Sequence, residues 1–401
     1  MPAARADLVC LATNQRDPQL QDGAREAASE TAGAPRGGRG WIPLSSVDVG
    51  DLERANVSAA MEQGWISGTG PFVEEFESRL GERTGRAHVV ATANGTLALE
   101  LALRAMEIGP GDEVIVPAFT FAAPAMSVLA VGAKPVVADV SAETWTLSPD
   151  RVAEQLSRRT RAILAVDVLG HPADYDALGE FGVPLIEDAA EAHGARYKGR
   201  PTGSFGQVSV FSFHANKAIT TGEGGCAMTD SAQLAERMRL IANHGLRPDR
   251  QYLHDAVGRN FRMSNLSAAI GVAQLVRWES LIGARRRVSR RYDELLVGAD
   301  YGGRPVAPWA EYSCWLHTIA VNDRARVLRR LREVGIDARA VWPALTRQPV
   351  LRWTGASSTV SEQLARRAMW LPTYNALSLD EIRFITGAVR NAIGERPEGA
   401  R

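Results

Sequence analysis

Apolar and polar positions follow two periods along this chain, and the two take turns. "SSVDVGDLERANVSAAMEQG" puts Leu52, Val57 and Met61 on one helical face and stops at Gly64, which predicts a capped helix. "NGTLALELALRAM" then reads as a helix, "GPGDEVIVP" as a turn entering a strand, "AAPAMSVLAVG" as a second helix and "KPVVADV" as another strand. "SPDRVAEQLS" predicts a helix with a Ser-Pro-Asp start, followed by the strand segments "TRAILAVDVLG", "GVPLIEDAA" and "QVSVFSF". Strands alternating with helices at this spacing predict an α/β fold with a mainly parallel, helix-covered sheet. Ligands in such sheets gather at the carboxyl ends of the strands.

Further on, "SAQLAERMRLIANHG" predicts a helix ending at Gly245. "SNLSAAIGVAQLVRWESLIGARRRVSRRYDELL" predicts one long or bent helix, with Leu266, Ile270, Ala273 and Val276 at helical spacing. From about Val306 the elements shorten, as in a smaller α+β unit. The first 40 residues, rich in Ala, Gly, Arg and Glu, lack periodicity and read as a disordered tail. We therefore expect a tail over 1–40, a large domain over 41–275, a small domain over 276–393 and a short tail over 394–401.

Composition narrows the function. Basic and acidic residues number 46 each, so no general electrostatic grip on nucleic acid or anionic membrane is expected. The longest apolar stretch, "AAPAMSVLAVGA", is too short to span a bilayer, and "MPAARADLVC" lacks a signal-peptide core. Cys10, Cys226 and Cys314 are far apart and form no metal-type spacing, which predicts a reduced, cytoplasmic protein with no metal site.

Lysine is rare: among 46 basic residues it occurs only at Lys134, Lys198 and Lys217. Arginine carries charge equally well, but its guanidinium stays protonated and cannot condense with a carbonyl, whereas a desolvated lysine amine can. Lys217 sits between the strand "SVFSF" and the glycine-rich turn "TTGEGG", where burial would lower its pKa and favour a nucleophile. The strand "VPLI" delivers Asp188 to its carboxyl end, a costly place for a carboxylate without a positive partner. Asn94, Gly95 and Thr96 stand where a strand turns into a helix, so their N–H groups and the threonine hydroxyl can hold a phosphate. Each feature alone has an ordinary reading: a surface lysine, a structural ion pair, an N-cap. Together they match pyridoxal phosphate (PLP), which has a phosphate to anchor, a ring nitrogen to keep protonated and an aldehyde to hold. No P-loop or dinucleotide fingerprint is present.

At "WISGTGPFVEEFE", "SFHANKAITTGEGG" and "GRNFRMSNLSAAIGVAQL" the chain resembles the DegT/StrS-type nucleotide-sugar aminotransferases, from about Trp41 to about Ile393. Those segments are most similar to the GDP-perosamine synthases of that family. The resemblance implies a fold-type-I enzyme with a mainly parallel seven-stranded sheet and a smaller α+β domain. It assigns Lys217 as the lysine that bonds PLP and moves the proton, with Asp188 on the pyridine nitrogen and Glu191 on the ring hydroxyl. Gly95, Thr96 and Ser212 would hold the phosphate, and Phe121 would stack on the ring. Asn260 would reach the phosphate of a partner subunit, making a homodimer. On the residues alone, Phe121 and Ser212 read as core and strand positions, Asn260 as a loop former and Glu191 as a helix-face charge. The implied reaction moves an amino group from L-glutamate to a nucleotide-linked keto-sugar, GDP-4-keto-6-deoxymannose first, with PLP cycling through pyridoxamine phosphate. A dTDP- or UDP-linked keto-sugar or a ketocyclitol is the alternative, and a non-catalytic partner of the same fold is the reading from another class. Thr346, in "ALTRQP", departs from the histidine many relatives carry and bears on the acceptor.

Overall fold

The structure, a computed structural model, describes residues 40–247, 252–352, 355 and 359–394. Both expected tails, apart from Gly40 and Gly394, lie outside the described residues. Seven strands build the main sheet: β1 (His88–Thr92), β2 (Glu113–Pro117), β3 (Lys134–Ala138), β4 (Thr160–Val166), β5 (Leu185–Asp188), β6 (Val208–Ser212) and β7 (Gly225–Thr229). Their order is β1-β7-β6-β5-β4-β2-β3. β7 runs antiparallel to both neighbours, and the other four pairings are parallel.

Both faces of this sheet are buried, which is why its strands are continuous apolar runs. Val208 and Val210 point to the face covered by the Gly95–Ala105 helix, while Phe211 packs on the other face with Phe76, Cys226 and Met228. In-register pairing of Ile186 with Val208 and Asp188 with Val210 puts Asp188 and Ser212 on the same face as those valines. Glu187 is therefore turned to the opposite face, where the Gly203 and Phe205 N–H groups bond its two oxygens at 2.6 and 2.7 Å.

Two elements carry no clear mark in the sequence. The helix Pro71–Thr84 buries Phe76 and Leu80 against that second face, and β7 starts inside the glycine run that reads as a turn. The expected long helix is two, Asn265–Val276 and Trp278–Leu296, meeting at Arg277, which pairs with Asp48 at 2.5 Å and Glu53 at 2.8 Å. The second of them serves both cores. Trp278, Leu281 and Ile282 pack under the main sheet, while Val288, Tyr292 and Leu296 join a separate core. That core includes β9 (Thr318–Ala320) and β11 (Ala368–Trp370), which form a second sheet in the order β8-β9-β11-β10 with β8 (Gly302–Gly303) and β10 (Arg339–Ala340). Ile42 also belongs to it, bonding Gly335 O and Asp337 N at 2.9 Å, so the first described residues sit with the smaller unit.

Candidate active site

The carboxyl ends of β5 and β6 and the start of the Gly95–Ala105 helix meet on one face of the sheet. Asn94 caps the helix by accepting the Leu97 N–H at 2.9 Å. The N–H groups of Gly95 and Thr96 have no acceptor within the helix, as in any first turn, and Thr96 is exposed. Gly95 and Gly225 allow the close approach: a methyl on Gly95 would lie 2.8 Å from Ser212 Cβ, and one on Gly225 would lie 2.5 Å from Gly95 N. Ser212, Gly225 and the helix start thus form one tight junction with donors on its open side.

Asp188 ends β5 and is 5% exposed, with Oδ1 accepting only the Ala190 N–H at 3.1 Å among its recorded partners. Burial raises its pKa to about 6, the nearby Glu191 adding to the effect and Lys217 opposing it. Lys217 Nζ lies 3.8 Å from Glu191 Oε1. Burial pushes the lysine amine down and the Glu191 carboxyl up, and each group partly restores the other's charge. Glu191 is fixed by the Leu169 N–H, 2.7 Å from Oε2. Leu169 itself holds φ 56°, a left-handed conformation costly for a side chain of its size.

Lys217, Asp188 and Glu191 therefore converge, and Gly95, Thr96 and Ser212 lie at the adjoining helix start. Phe121 follows β2 and is 54% exposed, leaving a ring face free to be covered. Asn260 stands apart. It is exposed, with Oδ1 accepting from Arg262 N at 3.3 Å and Arg262 Nε at 3.2 Å. Its neighbour Phe261 is buried and accepts the Ala93 N–H at 2.7 Å, which turns Asn260 outward from this chain's own fold. Thr346 donates to Glu362 at 3.4 Å in a turn docked just past the end of β2 by a 2.8 Å bond from Leu345 N to Ala118 O.

Sequence reasoning missed four residues here. The Trp315 ring lies 4.0 Å from Lys217 Nζ. Arg285 donates to Trp315 O at 2.8 Å and Lys217 O at 3.4 Å. Arg304 donates to Val168 O at 2.8 Å, just before the strained Leu169. His193 is buried against Phe213, and burial drops its pKa to about 3, so it is neutral. Trp315, Arg285 and Arg304 have no local signature, because each arrives through a long-range contact.

The donor set fits PLP. Convergent N–H groups, a buried carboxylate with spare acceptor capacity and a desolvated amine suit its phosphate, ring nitrogen and aldehyde. Among the described residues, no group of three or more His, Cys, Asp or Glu is placed to hold a metal ion, and no helix is long and apolar enough to cross a membrane.

Comparison with known proteins agrees with this chemistry. Residues 48–390 match the DegT/DnrJ/EryC1/StrS aminotransferase family. A GDP-perosamine synthase of Caulobacter vibrioides is 38% identical over 351 residues, covering 84% of this chain and 94% of the relative. The UDP-2-acetamido-2-deoxy-3-oxo-D-glucuronate aminotransferase of Pseudomonas aeruginosa is 35% identical over 333 residues, 80% and 91% of the two chains. Among solved structures, Spr1654 of Streptococcus pneumoniae, described as a sugar aminotransferase and in its PLP form, superposes with a TM-score of 0.83 at 29% identity. That superposition covers 88% of this chain and 98% of the other. The chain belongs to the DegT/DnrJ/EryC1/StrS aminotransferase family and is a PLP-dependent transaminase.

Proposed function

We propose that the chain transfers an amino group from L-glutamate to C4 of GDP-4-keto-6-deoxymannose, forming GDP-perosamine, with Lys217 as the catalytic lysine. The observation that carries the site assignment is the buried Lys217 amine 3.8 Å from Glu191, beside Asp188 and the open helix start. Similarity to GDP-perosamine synthase supports the acceptor, and the 35% identity to a UDP-sugar enzyme keeps a UDP-linked keto-sugar as the second reading.

When bound, PLP supplies an aldehyde and a ring that draws electrons from the donor's Cα. Lys217 would hold the cofactor's aldehyde and, with its amine free, would take up and hand on the proton of the donor's Cα. Asp188 would accept the ring N–H and keep that nitrogen charged. Glu191 would meet the ring hydroxyl, Phe121 would cover the ring, and Gly95, Thr96 and Ser212 would hold the phosphate. Asn260 points outward, so its proposed target is the phosphate held by a second copy. A homodimer would also cover the half-exposed Trp65 and Ile66 and a nearby cavity of about 570 Å³ lined by Gly68, Arg239 and Arg262. With Cys226 and Cys314 buried as free thiols, a cytoplasmic setting is proposed.

The test is spectroscopic and then chemical. PLP-loaded protein should show a visible band that shifts on adding L-glutamate, and borohydride should leave a reduced adduct on Lys217. Loaded with amine, it should convert GDP-4-keto-6-deoxymannose faster than dTDP- or UDP-linked keto-sugars. An adduct elsewhere sinks the lysine assignment; preference for another nucleotide sinks the acceptor.

A further inference from the structure

Lys217 Nζ lies near two unlike surfaces, the Glu191 carboxylate at 3.8 Å and the face of Trp315 at 4.0 Å from its centroid. Trp315 lies just before β9 and packs in the main sheet's core, and its backbone and side chain are tied to the lysine's own loop. Its indole N–H donates to Asn216 O at 3.0 Å, the carbonyl of the peptide bond leading into Lys217. Its carbonyl accepts one arm of Arg285, whose other arm reaches Lys217 O. The ring cannot swing away: it is 5% exposed, stacked on Trp342 at 6.2 Å between centroids and edge-on to Trp370 at 5.5 Å. Ser313, two residues before it, donates N–H to Gly170 O at 3.0 Å and so pins the segment over the turn that holds Glu191.

We propose that Trp315 is the seat of the Lys217 amine whenever that amine is not bonded to the cofactor, its π-face holding Nζ within reach of Glu191. This rests on the transaminase reading of the same site. An aromatic face attracts an ammonium most strongly where water is excluded. Glu191 supplies one contact to Nζ, and the ring supplies a second from a segment far off in sequence. A freed lysine with four rotatable bonds then stays in reach of the reacting carbon instead of wandering.

The experiment follows Lys217 in cofactor-free protein by competitive acetylation against pH, read by mass spectrometry. Replacing Trp315 site-specifically with ring-fluorinated tryptophans keeps its shape and N–H while draining the π-face. The Lys217 titration midpoint is expected to fall stepwise with fluorination, by roughly half a pH unit or more across the series. Trp315→Phe should keep most of the effect and Trp315→Leu should lose it. A flat fluorination series overturns the proposal, whether or not the leucine variant folds. The borohydride adduct separates the two readings. If it is absent from PLP-loaded wild type, the transaminase assignment fails, and the labelling series still decides whether Trp315 holds the amine. In loaded enzyme the fluorinated series should slow the glutamate half-reaction with little change in its KM.

Discussion

A carboxylic acid buried at a strand end favours its neutral form, and at Asp188 this lifts the pKa to about 6 from an ordinary 3.8. Between those values the folded, cofactor-free protein binds more protons at this group than the unfolded chain does. Its contribution to stability therefore falls as pH rises through that window, by on the order of 3 kcal/mol. A charged ring nitrogen would reverse the sign by stabilising the carboxylate. Thermal unfolding of cofactor-free protein at pH 5 and pH 8 should thus show wild type losing Tm relative to Asp188→Asn, and added PLP should abolish the loss. An identical wild type to Asn difference at both pH values, without cofactor, would count against it. Lys217 makes a sharper demand. Lys217→Arg keeps the positive charge but cannot condense with a carbonyl, so transamination should fall on the order of 10³-fold or more, with no borohydride adduct. Activity near wild type would remove Lys217 from the chemistry.

At the scale of elements, the junction of β6, β7 and the Gly95–Ala105 helix forms the tight corner proposed to hold the phosphate. A methyl on Gly225 would overlap the Asn94 carbonyl group and come within 2.5 Å of Gly95 N, backbone that cannot rotate aside. Gly225→Ala should therefore cost about 1–3 kcal/mol of stability and weaken PLP binding, measured by unfolding and by cofactor titration. Gly179→Ala, where the added methyl meets open space, is the control and should change stability by less than about 1 kcal/mol. The helix start was legible in the sequence, since Asn-Gly-Thr before an apolar run is a local signal of capping. β7 was not. Its first residue lies in a glycine run, and only pairing with β1 and β6 makes a strand of "GCAMT". The break at Arg277 was equally hidden, because the helical period continues across it while the Asp48 and Glu53 pairs that meet it come from the far end of the chain.

For the whole molecule, the proposed dimer makes a prediction that a monomer cannot imitate. If Asn260 serves the neighbouring site, Lys217→Ala and Asn260→Ala subunits should each be weak alone and recover activity when mixed. One site of the hybrid then has both Lys217 and a partner's intact Asn260. Sedimentation should give twice the 43.3 kDa chain mass. No recovery on mixing, with exchange verified, would return Asn260 to a role within its own chain.

What the sequence by itself determined is what short-range physics controls. Apolar periods mark most strands and helices, the scarcity of lysine singles out Lys217, and strand ends place Asp188 and the Asn94–Thr96 turn where ligands collect. Tertiary structure alone decided the surroundings of that lysine. Trp315 bonds a carbonyl 99 positions away in sequence, and Arg285 reaches Lys217 O across 68. No local pattern encodes such partners, because their proximity is produced by the packing of distant segments on the sheet's carboxyl edge. The lysine is thus written in the chain; its environment, and so its proton affinity, comes from the fold.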